Sequence, residues 1–177
     1  SKLIVTKKQK NQLDKFEELL LSWNKTHNII SKSQTSNIKG HIEDSLSIAH
    51  LLGRNIMDLG SGGGFPGIPI AITCPEKKIF LVERKQSKAA FLLNATTQLG
   101  LENTQVINQD SKKLGPDSLP GPLEIVTRAF GSPLKTIEAT KGLLSAPKNH
   151  LKLMKTYPPE GLEDIPENYN VEKIEEI

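Results

Sequence analysis

A glycine-rich segment that follows a short apolar run is the part of this 177-residue chain best suited to bind a small molecule. Residues 55–69 read NIMDLGSGGGFPGIP, so Asp58 is followed by five glycines within eight positions. Glycine reaches positive φ and lets a ligand approach the backbone closely. Because the carboxyl end of the first strand is the expected crevice of an open parallel sheet, we predict a ligand site at Gly60, Gly62 and Gly64.

The residues around these glycines discriminate between two kinds of nucleotide cofactor. The run from Gly62 to Gly67 formally matches a dinucleotide fingerprint, which is a weak signal by itself. Asp58 would repel a pyrophosphate, and Pro66 lacks the N–H that a phosphate requires. S-adenosylmethionine carries an ammonium and a sulfonium and no phosphate. The pattern therefore favours S-adenosylmethionine over a nicotinamide dinucleotide.

Charged side chains follow each of the next four predicted strands. Glu83 can accept both ribose hydroxyls or be a surface acid, and Asp110 can accept from an adenine amino group or form a turn before Ser111. Arg128 can reach the cofactor or a target base, or form a salt bridge with Glu83 or Asp110 at the rim. Lys155 can meet a phosphate or remain solvated.

The histidines and the single cysteine show no pattern for metal binding or nucleophilic catalysis. None of the four histidines has a partner at ligand spacing: His27, His41, His50 and His150. Cys74 alone excludes an internal disulfide and a cysteine-based zinc cage, so we predict no metal site. His41 and Asp44 are three residues apart and share a helix face. They would brace the pocket or touch the substrate, or simply pin their own helix.

Hydrophobic periodicity divides the chain into a helical first part and an alternating second part. Thr6 and Gln9 have capping-box spacing ahead of a helix at 7–24, and a second helix is predicted at 36–52 with Gly53 as its C-cap. Strands are then predicted at 55–59, 78–83, 104–108, 123–127, 150–154 and 171–177, with helices at 69–73, 87–99 and 133–144. This alternation indicates a doubly wound α/β sheet.

These elements predict two units and a bare sheet edge. Residues 1–54 would form a small helical cap, and residues 55–177 would form the sheet domain. A sheet that ended at residue 177 would expose an unpaired edge, so we expect its last strands to lie beyond this sequence.

The charge distribution fits a polyanionic partner. The net charge is +3, yet residues 160–177 hold seven acidic side chains and one lysine, so the rest of the chain is strongly basic. Such a body suits RNA, although scattered solvated lysines give the same count. No apolar run approaches the ~18 residues of a membrane span, and the start has no secretory signal. With a lone cysteine, these features favour the cytoplasm.

Four segments, taken in order, carry a family resemblance. They are Trp23–Ile30 (WNKTHNII), His41–Leu46 (HIEDSL), Gly60–Pro69 (GSGGGFPGIP) and Arg128–Phe130 (RAF). In sequence and spacing they resemble the bacterial ribosomal small-subunit RNA methyltransferase G family, also called glucose-inhibited division protein B. The resemblance covers residues 13–174. It implies a class I S-adenosylmethionine-dependent methyltransferase, with a Rossmann-like, mostly parallel sheet and a small N-terminal helical cap.

The resemblance also implies an activity and a set of site residues. Such enzymes methylate N7 of one guanine in 16S rRNA near the decoding region, and we expect a monomer that binds this RNA or the small ribosomal subunit. The family's cofactor contacts correspond to Gly60, Phe65, Ser111, Lys112 and Arg128, beside the Asp58, Gly62, Gly64, Glu83 and Asp110 proposed above. Candidate substrate contacts are His41, Asp44, Lys88 and Lys155.

Three positions depart from the family pattern. Asp110–Lys112 replaces an Arg-Ala-Glu triplet, Ser87–Lys88 replaces a Lys-Arg pair, and Lys155–Thr156 replaces Lys-Gly. Guanine N7 is already nucleophilic, so the transfer needs alignment more than a general base, and we assign none. The first departure leaves room for an alternative, a non-catalytic RNA-binding or ribosome-assembly module with the same fold. A nicotinamide oxidoreductase is the third hypothesis.

Overall fold

Five parallel strands form one sheet with helices on both faces, in a computed structural model that describes residues 3–128, 130–154 and 160–171. The strands are β1 (Asn55–Leu59), β2 (Lys78–Val82), β3 (Thr104–Ile107), β4 (Leu123–Thr127) and β5 (His150–Leu153). The helices are α1 (Lys7–His27), α2 (Lys32–Thr35), α3 (Ile38–Ser47), α4 (Gly67–Thr73), α5 (Gln86–Gln98), α6 (Pro133–Ala139) and α7 (Lys141–Leu144). Short 3₁₀ turns span Ala49–Leu51, Ser111–Lys113 and Leu162–Asp164.

The strand order places a crevice beside the glycine loop. The order across the sheet is β3-β2-β1-β4-β5, and every neighbouring pair is parallel. The chain builds outward from β1 through β2 to β3 and then returns to the other side of β1 with β4. Loops at the carboxyl ends of β1 and β4 therefore diverge, which is where ligands bind in such sheets. The predicted doubly wound α/β fold is confirmed.

Alternate residues of the central strands enter two separate cores. Ile56 and Ile79 belong to the core on the α1 side, whereas Met57 and Phe80 belong to the core on the opposite face. All four are at most 1% exposed. Because both faces are covered, these strands read as continuous apolar runs, and that is why the sequence located them to within a residue.

The N-terminal helices α1 to α3 form what we call the helical segment, and α1 and α3 contribute side chains to the same hydrophobic core as the sheet. Thr6 and Gln9 form the predicted capping box, with bonds of 3.1 and 3.0 Å between each side chain and the other residue's N–H. The side chain of Phe16 is fully buried, and its ring lies 5.4 Å from that of Phe65 in an edge-to-face contact. The division into units at residues 1–54 and 55–177 remains a prediction, since α1 and the sheet contribute to one cluster of buried residues.

Three sequence-based element assignments need correction or fall outside the structure. The helix predicted at 36–52 is confirmed over Ile38–Ser47, but its bounds need correction. The chain turns at Asn37 before α3 begins, and a 3₁₀ turn at Ala49–Leu51 follows α3, so Gly53 is not its C-cap. The helix predicted at 133–144 is divided at Thr140, whose hydroxyl bonds the Thr136 carbonyl at 2.8 Å. Such local bonds compete with helical ones. Of the predicted sixth strand only Val171 is described, and it is not in a strand.

The burial of Phe16 against Phe65 predicts that Phe16 contributes strongly to the free energy of unfolding. Replacing Phe16 by alanine removes a fully buried ring, and large-to-small core changes of this kind cost about 3–5 kcal/mol. We expect Phe16→Ala to lower the free energy of unfolding, measured in urea, by that amount. Leu93→Ala is the control because Leu93 is 60% exposed, and it should change little. Equal effects of the two variants would contradict the packing of α1 into the sheet core.

Candidate functional site

The glycine loop is tied to the end of β2 by its backbone. The N–H groups of Gly60 and Ser61 both donate to the Val82 carbonyl, at 2.9 and 3.2 Å. The φ angles of Gly60, Gly62 and Gly64 are 68°, 52° and 94°, a region that side-chain-bearing residues rarely adopt. The loop is therefore a fixed turn whose conformation requires glycine.

The loop is packed on its inner side and open at Gly62. A Cβ atom added at Gly63 would lie 2.6 Å from Ile30, and one at Gly67 would lie 2.4 Å from Leu81. A Cβ atom at Gly62 would meet only the Gly60 carbonyl oxygen, at 3.7 Å. The backbone near Gly62 is thus the part of the loop that a ligand can approach.

Glu83 lies against this open part of the loop. The Gly62 N–H donates to its Oε1 at 3.2 Å, and the Lys85 N–H donates to its Oε2 at 2.8 Å. The side chain of Asn108 holds the same strand end by donating to the Glu83 carbonyl at 2.9 Å. A carboxylate has about four acceptor positions, so Glu83 retains room for the ribose hydroxyls that the sequence analysis assigned to it.

Asp58 is buried beneath α4 and does not line the open rim. Its Oδ2 accepts the Gly67 N–H at 2.9 Å, and its Oδ1 has no hydrogen-bond partner among the described residues. Burial raises the pKa of Asp58 to about 8; the hydrogen bond from Gly67 opposes the shift, and the charge of Glu83 adds to it. The carboxyl is therefore mostly protonated at neutral pH.

Two side chains in the segment after β3 form hydrogen bonds to backbone groups. Asp110 Oδ1 accepts the Lys112 N–H at 3.0 Å and so caps the following 3₁₀ turn. The hydroxyl of Ser111 is buried and donates to the Ala139 carbonyl at 2.8 Å, while Lys112 is exposed. The turn-forming alternative thus describes the observed contact of Asp110, and its adenine contact remains a prediction.

Arg128 joins the far wall of the crevice to the helical segment. One of its guanidinium nitrogens, Nη2, is hydrogen-bonded to His41 Nδ1 and lies 3.4 Å from the carboxylate of Asp44. The guanidinium carbon is 5.8 Å from the ring centre of Phe65. The alternative reading of Arg128, a salt bridge with Glu83 or Asp110, is wrong, because the guanidinium turns towards α3. The structure therefore brings together four of the predicted residues: His41, Asp44, Phe65 and Arg128.

Phe130 is a site neighbour that the sequence reasoning named only within a motif. Its ring lies over Gly60, where an added Cβ would be 3.0 Å away, and Lys135 Nζ lies 5.7 Å from its centre. Its position just after β4 was the available signal, since side chains that follow parallel strands meet at one edge of the sheet. Lys88 lies half-buried on α5, and Lys155 falls outside the described residues.

Metal-binding clusters and membrane-spanning helices are both absent from the described ranges. Within residues 3–128, 130–154 and 160–171, no three His, Cys, Asp or Glu side chains are grouped so that they could hold a metal ion. Within the same ranges, no helix is both long and apolar enough to cross a membrane.

Comparison with known proteins places this site in a family. The family model for rRNA small subunit methyltransferase G, labelled GidB, matches residues 9–177. The chain belongs to this family. It is similar to the ribosomal RNA small subunit methyltransferase G of Nitrosomonas europaea, with 38% identity over 170 residues that cover 93% of this chain and 78% of the relative.

A second relative has the same name as the first, and the similar solved structures do not bear on the family assignment. The ribosomal RNA small subunit methyltransferase G of Laribacter hongkongensis is 33% identical over 165 residues, which cover 92% of this chain and 78% of the relative. A precorrin-6y C5,15-methyltransferase from Geobacter metallireducens is 23% identical with a TM-score of 0.47, over 65% of this chain and 58% of its own. That likeness is too distant to bear on function.

Family membership decides between the three functions left open by the sequence. The chain is an S-adenosylmethionine-dependent methyltransferase, and the predictions of this family and this cofactor are confirmed. The nicotinamide alternative is excluded with them. The individual cofactor and substrate contacts remain predictions.

The buried carboxyl of Asp58 predicts how stability depends on pH. Its pKa is about 8 in the folded protein and 3.8 ordinarily, so between these values the folded state binds the extra proton. The stabilisation is full below pH 3.8 and is lost as the pH rises to about 8, by on the order of several kcal/mol. Asp58→Asn cannot ionise and should abolish this decline.

Urea unfolding at pH 5, 7 and 9 measures the effect. We expect the variant to become more stable than the wild type at pH 9, while Asp14→Asn, at an exposed position of α1, follows the wild type. Parallel wild-type and Asp58→Asn curves would show that Asp58 ionises normally.

Proposed function

We propose that the protein transfers the methyl group of S-adenosylmethionine to N7 of one guanine in 16S rRNA, near the decoding region. The observation that carries the proposal is the open backbone at Gly62, which follows β1 and donates a hydrogen bond to Glu83 at the end of β2. The family model matches this chain over residues 9–177. The relatives' names supply the class of RNA.

The residues around the loop fit this cofactor. Gly62 leaves its backbone accessible and Gly60 is exposed beside it, whereas Gly64 is closed off by Ile68 and supports the turn. Asp58 is buried below the loop, so its proposed contact with the ammonium group requires its carboxyl to ionise when the cofactor binds. Glu83 would accept the ribose hydroxyls. The other proposed contacts come from the β3 and β4 ends and from the loop: Asp110, Ser111, Lys112, Arg128 and Phe65.

The main task of these residues in the reaction is to align the methyl group of the cofactor with N7 of the guanine. When bound, the cofactor would supply a methyl group on a sulfonium. The lone pair of guanine N7 would attack the methyl carbon in line as the carbon–sulfur bond breaks and the neutral thioether leaves, so no general base is required. Arg128, held beside Phe65, borders the crevice on the side of β4, and its fixed positive charge suits the electron-rich edge of guanine. His41 and Asp44 hold that side from α3.

Lysine side chains would bind the phosphates of the RNA. Lys88 and Lys155 are proposed to contact phosphates, which position an RNA without reading its sequence. The substrate is 16S rRNA, free or in the small ribosomal subunit, and this substrate supports a cytoplasmic location. The monomeric state remains a prediction.

Transfer of labelled methyl groups tests the function directly. We expect the protein to label small-subunit RNA or small subunits that lack the modification, and mass spectrometry of a nuclease digest to identify N7-methylguanosine. Large-subunit RNA is the control and should stay unlabelled. If the folded protein binds these RNAs but labels none of them, the catalytic proposal fails and the non-catalytic binding module replaces it.

A matched pair of glycine variants tests the cofactor loop. Gly62→Val places a side chain where the ligand would approach, and calorimetry should show at least a tenfold loss of cofactor affinity, about 1.4 kcal/mol. Gly100 has a similar φ of 65°, would have no neighbour within 4 Å of an added Cβ atom, and follows α5 away from the loop. Gly100→Val therefore carries the same backbone strain and should bind the cofactor normally. Equal affinities in the two variants would refute the loop assignment.

A further inference from the structure

The imidazole of His41 is held between the helical segment and the crevice by unequal environments at its two nitrogens. Nδ1 is hydrogen-bonded to Arg128, and Nε2 is buried with no hydrogen-bond partner among the described residues. The ring also contacts Phe65 edge-to-face, with centres 5.7 Å apart. His41 thus touches both the β4 end and the glycine loop.

The partner of Nδ1 fixes the protonation state of the ring. A guanidinium has only donors, so Nδ1 must present its lone pair and the ring proton must lie on Nε2. A protonated ring would donate from both nitrogens, lose the hydrogen bond and repel the positive charge of Arg128. The contact can therefore form only with the neutral ring.

The surroundings favour that neutral form. Burial lowers the pKa of His41, the positive charge of Arg128 lowers it further, and only the carboxylate of Asp44 opposes the shift. Phe65, whose ring contacts that of His41, is uncharged. At pH 7 the ring is neutral and able to accept from Arg128.

Asp44 cannot hold Arg128 as firmly. Its side chain is 63% exposed, whereas that of Arg128 is 20% exposed, so water screens the ion pair at the end of the carboxylate. Exposed ion pairs of this kind contribute little, about 0–1 kcal/mol. The hydrogen bond to Nδ1 of His41 is part-buried and is therefore the stronger constraint on the guanidinium.

We propose that His41 is a positioning residue, which holds the guanidinium of Arg128 beside Phe65 at the cofactor crevice and does so only while its ring is neutral. The inference rests on the proposed function, because Arg128 is assigned there to the cofactor. The helical segment would then affect cofactor binding indirectly, because His41 on α3 positions the guanidinium of Arg128.

The proposal predicts a loss of cofactor affinity in acid. As the pH falls through the lowered pKa of His41, Nδ1 gains a proton, the guanidinium is released, and the affinity for S-adenosylmethionine falls. Loss of one hydrogen bond of this kind corresponds to about three- to tenfold in affinity. Asp58 also titrates, so the wild type must be compared with variants of His41 alone.

Two substitutions of His41 separate its acceptor from its titration. His41→Asn keeps an oxygen acceptor close to the position of Nδ1 but cannot be protonated, whereas His41→Ala has no acceptor. Calorimetry with S-adenosylmethionine between pH 5.5 and 7.5 should show the threefold to tenfold loss in His41→Ala at pH 7.5. His41→Asn should bind within about twofold of the wild type there and lose less affinity in acid.

Three controls make the result specific. His50→Asn changes an exposed histidine of the adjacent 3₁₀ turn and should retain the wild-type pH dependence. Thermal unfolding checks that each variant is folded. A long-range nitrogen–proton NMR spectrum of the imidazoles reads the tautomer independently of ligand, and we expect the proton of His41 on Nε2.

The outcomes separate the two proposals. If Arg128→Ala binds S-adenosylmethionine normally, the assignment of Arg128 to the cofactor fails whatever His41 does. If Arg128→Ala loses affinity but folded His41→Ala does not, only the positioning role of His41 is overturned. A proton on Nδ1 of His41 at pH 7, or identical pH dependence in the wild type and His41→Asn, also overturns it.

Discussion

The loop between Gly60 and Gly67 has no room for side chains on its inner side, and the rest of the site depends on that constraint. Added Cβ atoms would lie 2.6 Å from Ile30 at Gly63 and 2.7 Å from Ile68 at Gly64. The loop backbone is therefore pressed directly between the helical segment and α4. Because a Cβ at either position would force neighbours apart, the glycines set how closely α1 approaches the loop.

The pleat of the sheet explains why two neighbouring carboxyl groups behave differently. Alternate residues of β1 point to opposite faces, and Asp58 points towards α4. There one oxygen receives a backbone N–H and the other receives no hydrogen bond from any residue that the structure describes. Glu83 lies just beyond β2, where the strand has ended and both of its oxygens accept backbone N–H groups. The Asp58 carboxyl is thus kept protonated beneath α4, while the Glu83 carboxyl, which is also buried, is held against the loop backbone.

The sequence predicted most of the sheet and the location of the site, but not the contacts across it. Buried parallel strands are short apolar runs between turn residues, so β1 and β4 were found with their observed bounds. The helix predicted at 36–52 extends beyond α3 at both ends, and α2 was not predicted, because the Ser31 cap and the turn at Asn37 are local effects that periodicity does not register. The pairing of Arg128 with His41 joins positions 87 apart in sequence, and only the packing of the helical segment on the loop decides it.

The two walls of the crevice are held by different kinds of interaction. On the β1 and β2 side, backbone hydrogen bonds from Gly60 and Ser61 to Val82 continue the sheet itself, so this wall opens only when the sheet does. On the β4 side, Arg128 depends on side-chain contacts with α3, one of them to an Asp44 that is largely solvated. Rearranging the second wall costs far less than rearranging the first. In the proposed function, the rigid wall holds the methyl donor from the loop side, while the β4 wall, where Arg128 is proposed to meet the cofactor, can adjust as a large RNA enters.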